Sequence, residues 1–394
     1  MVVSMAALLA CIGLAIDAGY LELVKTRMQA AADAAALGGV QEIKQNGAAH
    51  APDAAKSDAS LNGFTDGRNS VTVTVNNPPV SGYYTADRTA VEVLISQNAG
   101  TLFMSLLGFS SSKVRARSVA RQGSGADCLY TLDPSAHSAF DISGGATLTV
   151  NCGIMVDSNS DRALTASGGA VVNATSIDVA GNYTSSGGAV LSPAPVTGAS
   201  PESDPLAYLT PPNAGACSEN NWSVSGGASV SIGPGVYCGG ITISGGSSVT
   251  LTAGTYILLG GGLSISGGSS LSGTGVTFYD TADKKHGYSG ISVSGGTTIH
   301  LSAPTTGDLA GILFFQDPSL ASPASSSFTG GDSTVLNGAL YFPTSDVSYS
   351  GGAASNYTIL VAKTVKITGG STLNSNYSAL PGGSPVRGNA VVSE

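Results

Sequence analysis

The sequence predicts an α+β region followed by an all-β region: a long N-terminal hydrophobic helix, a small α+β module and a C-terminal parallel β-helix of about ten coils. Three observations point there. Residues 1–16 are one apolar run, only 12 of the 54 glycines lie in residues 1–140, and a short element ending in Gly-Gly recurs through the rest of the chain. The implied divisions are 1–46 for the helix, 47–127 for the module and 128–394 for the β-helix, with a loop insertion near 192–216.

The opening run, MVVSMAALLACIGLAI, would span roughly 24 Å as a helix, short of a hydrocarbon core of ~30 Å. It must sit in a bilayer or pack against other copies of itself. No Lys or Arg precedes it, so basic residues are expected upstream of Met1, removed by processing or outside this sequence. A helical, alanine-rich pattern continues past Asp17 to about Lys44. Leu8, Leu9, Ile12, Leu14, Ile16, Asp17, Leu23, Met28 and Leu37 are the expected assembly residues of this helix. It reads either as a membrane anchor extended by an amphipathic stalk or as a pilin-like helix packing into a filament core.

The segment AIDAGYLELVKTRMQAAADAAALGG resembles the N-terminus of TadG-like (TadE/TadG-like) proteins of the Flp, or Tad, pilus system. The resemblance rests on an A-x-D-x-G element, here with Asp17 and Gly19, and on a Q-x-A-A-D-A-A-A-L motif, here with Gln29, Asp33 and Leu37. It continues through Val91–Gln122 and touches Ser/Gly-rich segments such as GVYCGGITISGG further on. It implies a bacterial cell-envelope protein with Flp/Tad pilus components as partners, exported to the cell surface, and no chemistry.

The module reads as strand Val71–Val75, strand Thr89–Ser96, short helix Thr101–Gly108 and strand Lys113–Arg121. Lys113, Arg115, Arg117 and Arg121 share one face of the last strand. That face is solvated, or it meets lipid head groups or acidic residues of a neighbouring subunit.

In the last part the element apolar-x-apolar-Ser/Thr-Gly-Gly places its second apolar residue at Ile142, Val224, Ile243, Ile265, Val293, Tyr349 and Ile367, with degenerate copies at Ala166, Ser185 and Phe328. The period is about 20 residues, as one coil of a parallel β-helix requires, whereas a Gly-rich β-sandwich would favour hairpin spacings of ~8–12. Alternation sends one set of side chains inward, and the glycines turn corners. Stacked coils disfavour charge, which accounts for a chain that is only 10% charged but 42% hydrophobic. Trp222 fills the first apolar slot of one copy, and the Pro-rich stretch Ser192–Pro212 is expected to leave the column as a loop.

Cys11 lies in the apolar helix. The remaining cysteines are spaced by about one coil as Cys128 with Cys152 and Cys217 with Cys238, so these two disulfides are expected, and with them an extracytoplasmic location. Net charge is −9, which argues against a nucleic-acid partner. No cofactor and no enzymatic activity are expected: a carbohydrate-active β-helix enzyme would need clustered carboxylates, and only 20 charged residues are spread over the last 254. Asp157, Asn159 and Asp161 match the opening of a calcium loop but lack its Gly and Glu. His137, His286 and His300 sit among too many serines for a Ser-His-Asp reading to carry weight.

Overall fold

The computed structural model describes residues 2–85, 87–124, 127–321, 323–331, 334–351 and 355–394, and their side chains except at 2–11, 44–46, 122–124, 330–331, 351 and 389. The chain is mostly β, and it divides into two compact units, residues 1–124 with 387–394, and residues 125–386.

In the first unit, helix α1 (Val2–Asn46) and helix α2 (Ala51–Leu61) accompany an antiparallel sheet of β1 (Val71–Asn76), β2 (Ala90–Gly100) and β3 (Ser111–Ser124). The C-terminal strand Arg387–Val392 completes the sheet beside β3. This corrects the expected boundary at 394: the last residues belong to the first unit because β3 would otherwise present an unpaired edge. The strand order matches expectation, and the short helix is a 3-10 turn at Met104–Leu107. Ala31, Ala32, Ala35 and Ala36 are buried, and their small size brings the elements close. A Cβ on Gly39 would lie 3.0 Å from Val91 and 3.3 Å from Ala55. Helix α2 was not anticipated, although Pro52 near its start and Ala51, Ala55 and Ala59 on one buried face are legible signals.

The second unit is a many-stranded parallel sheet in which each strand lies beside one from another repeat. Every repeat position read from the sequence stacks in register on its neighbour. The order is Val224, Ile243, Ile265, Val293, Phe328, Tyr349, Ile367, Ile142, Ala166 and Ser185. The corners stack too. Gly245 and Gly267 adopt positive φ of 61° and 65°, and a Cβ on Gly245 would lie 2.9 Å from the Gly226 backbone nitrogen. Two demands therefore select glycine at this corner, a left-handed backbone and contact with the corner below. Inside, Tyr237, Tyr256, Phe278 and Phe314 form a ladder with ring centroids 5.1–5.9 Å apart. Trp222 is partly buried against this core, in register with Ile241.

The stacking order departs from chain order. Ile367 neighbours Ile142, so the last repeat lies against the first, and Ser185 and Val224, adjacent in the repeat series, are the two ends of the file. The reason lies in connectivity. The chain leaves the first unit at Ser124 and rejoins it at Arg387, and these two residues are register partners. An insertion between them closes most simply when its own ends are neighbours, as Asp127–Thr131 and Thr358–Leu373 are.

The repeats then run outward to Val196–Thr197 and resume at Glu219–Val224, at the opposite end. The Pro-rich loop joins these ends and is a strap along the stack rather than an excursion away from it. The Glu202 backbone N–H donates to Asp157 (2.8 Å), the Tyr341 hydroxyl donates to Asp204 (2.6 Å), and the Tyr208 hydroxyl donates to the Pro385 carbonyl (2.9 Å). The strap's own Leu206 and Leu209 are buried. The disulfides are Cys128–Cys152 and Cys217–Cys238, with Cα separations of 5.8 and 5.6 Å.

Candidate functional site

The chemistry-bearing residues of the N-terminal motifs converge on contacts between α1 and its sheet. Gln29 donates from Nε2 to the Arg117 carbonyl (2.9 Å) and to Asp33 Oδ1 (2.8 Å), so one pair of motif residues fixes the height of α1 against β3. Asp17, 1% exposed, accepts hydrogen bonds from the backbone N–H groups of Leu102 (2.9 Å) and Met104 (2.6 Å). Burial pushes its carboxyl upward, but the amides of Met104, Leu102 and Phe103 outweigh that and hold it below the usual carboxylate range. Phe103 lies over Gly13, where a Cβ would come within 2.6 Å of its ring. The β2–β3 connection is therefore clasped to the last turn of the apolar run. Nothing in the structure explains Gly19, whose added Cβ would meet no atom within 4 Å.

The expected assembly residues separate into classes. Ile12, Leu14, Ile16 and Leu23 are exposed. Met28 is buried and Leu37 packs against the same internal core, so these two serve the fold of the unit and not an outer face. Leu8 and Leu9 lie outside the described side chains, as does Cys11. Among the described residues no helix is long and apolar enough to cross a membrane.

The basic strand face is partly spent within the unit. Arg117 donates from Nε to Glu92 (2.7 Å) and from an Nη to Glu394 (2.8 Å), and Arg121 lies over the Tyr84 ring at 5.5 Å. Glu92 is fully buried and also accepts from Ser81, Asn76 and the Val80 N–H. Burial raises its carboxyl, and these donors bring it down to about 2. Lys113 and Arg115 remain exposed.

In the second unit the calcium-loop residues do other work. Asp157 is buried and anchors the strap, while Asp161, 74% exposed, meets His137 at 3.4 Å. Burial and the nearby Glu202 and Asp178 push Asp127 up to about 7; burial, followed by Glu202 and Asp204, pushes Asp157 up to about 6 despite the Glu202 amide. Ser160 Oγ and Asp161 both approach the same ring nitrogen of His137, Nδ1, so no relay through the imidazole is formed. His286 Nδ1 lies 2.9 Å from Asp283, and His300 is exposed. The one grouping of potential metal ligands among the described residues is Cys217, Cys238 and His286, and its two sulfurs are joined as a disulfide. An open groove of about 830 Å³ in the first unit is lined by residues such as Ala48, Val75, Pro79 and Thr85, with no acid or base.

Two family models match the chain. Residues 1–42 match a TadE/G-like Flp pilus-assembly family and residues 29–120 a Tad-like Flp pilus-assembly family. Together the matches cover residues 1–120 of the first unit, without its C-terminal strand, and stop short of the parallel sheet. No curated protein and no solved structure matches.

Proposed function

We propose, from the similarity of residues 1–120 to Flp pilus-assembly families, that the chain is a TadG-like, Flp/Tad pilus-associated protein and a non-enzymatic structural protein of the bacterial cell surface. In this reading the N-terminal helix anchors the chain in the cytoplasmic membrane or polymerises it with other copies, and the first unit holds the helix. The parallel sheet is a β-helix of about ten coils displayed outside the cell, where its two disulfides are stable.

The observation that carries this reading is the Asp17 clasp. Through Asp17 of the A-x-D-x-G element it ties the β2–β3 connection to the end of an apolar run whose residues Ile12, Leu14 and Ile16 stay exposed. A helix held rigidly at that point, with its apolar side uncovered, requires a lipid or protein environment. Negative-stain microscopy of sheared surface material tests the two forms. Regular filaments containing this chain indicate polymerisation, and release only by detergent, as single particles, indicates an accessory protein anchored singly. Release by a salt wash without detergent or filaments would overturn both.

A further inference from the structure

We infer that the β2–β3 connection, residues 101–110, is a second lipid-contacting element: an apolar foot that rests in the bilayer surface beside α1. The inference rests on the anchored form of the proposed function. The connection reads TLFMSLLGFS, and four of its large side chains point away from their own unit. Leu106 is 83% exposed, Leu102 70%, Leu107 66% and Phe109 62%. Such a cluster is not the scattered single apolar residue normal on a protein surface.

Its occupant follows from its place on the helix. Asp17 and Gly13 hold the connection against the last turn of the apolar run. Once Ile16 is at the edge of the hydrocarbon, the connection lies at the same depth. The patch is thereby continuous with the exposed Ile12, Leu14 and Ile16.

Charge agrees. Lys113 and Arg115 follow the connection on β3, roughly 10–17 Å from its end, and Lys25 and Arg27 lie roughly 12–15 Å along α1 from Asp17. All four are exposed, and Glu22 is the exposed acid nearby on α1. Apolar side chains at the interface with basic ones just above them fit a membrane carrying anionic lipid.

The test uses the full chain carrying Trp222→Phe, which removes the native tryptophan, and a reporter substitution Leu106→Trp. Leu61→Trp on α2 is the control: neighbouring Asp58 abuts Gly38, roughly 30 Å along α1 from Asp17. Both are reconstituted into phosphatidylcholine–phosphatidylglycerol vesicles with and without brominated acyl chains. The Leu106→Trp reporter is expected to shift to the blue and lose most of its emission to bromine, while the control keeps its emission. Flotation of the vesicles reads the anchor separately. A chain that floats with an unquenched Leu106→Trp reporter overturns the foot and leaves the anchor standing, and a chain that does not float overturns both. A blue shift that grows with protein concentration in detergent, without lipid quenching in vesicles, assigns the patch to a second copy of the chain and overturns the inference.

Discussion

Glu92 shows how much one buried carboxylate can matter in the first unit. Its four donors hold it at about 2 against an ordinary 4.5. A depressed carboxylate contributes stability that is complete above the unfolded pKa and is lost as pH falls through the folded one, here between about 4.5 and 2. The contribution is on the order of 3 kcal/mol. Glu92→Gln is therefore expected to lower the stability of the helical unit at pH 7 and to flatten its acid dependence, read by urea titration of the far-UV helix signal. An unchanged acid profile would assign the role elsewhere. Asp17 was legible in the sequence as a lone acid ending an apolar run. Its partners were not, because the backbone amides it binds are 85 and 87 residues away.

At the scale of elements, the repeats were legible because each copy carries its own corner and its own inward residues. Ser185 and Val224 are consecutive in the repeat series, but the sheet puts them at its two ends and makes neighbours of Ile367 and Ile142. A pair of cysteines placed at the register partners Asp141 and Lys366 is expected to cross-link in a Cys11→Ser chain, whereas a pair at Thr184 and Ser223 is not. Non-reducing peptide mapping distinguishes them, and the reverse pattern would restore the sequential order. The strap that this order demands holds Leu206 fully buried. Leu206→Ala should cost about 2–5 kcal/mol by the cavity it leaves, seen as an earlier unfolding transition of Trp222 fluorescence. Reading the strap as a free loop followed from its prolines, which exclude strand pairing but not close packing.

At the scale of the whole molecule the two units are expected to answer pH in opposite senses. Asp127 and Asp157 are raised to about 7 and about 6 from 3.8. A raised carboxylate binds its proton more tightly in the folded state, so stability of the second unit grows as pH falls from about 7 toward 4. The first unit holds its Glu92 contribution over that range and loses it below. Thermal melts at pH 8 and pH 5 should show the Trp222 transition moving up at the lower pH while the helix signal moves little. A Trp222 transition that falls at pH 5 would remove this assignment of the acidic groups beneath the strap.

By itself the sequence determined the long helix, the module's strand order, the cysteine pairing and the repeat positions, because each is written in local periodicity or one-coil spacing. Only the tertiary structure decided which repeat lies on which, that the final strand returns to the first unit, and that Asp17 clasps the β2–β3 connection. These depend on backbone partners far apart in the chain, and backbone amides and carbonyls leave no trace in residue type.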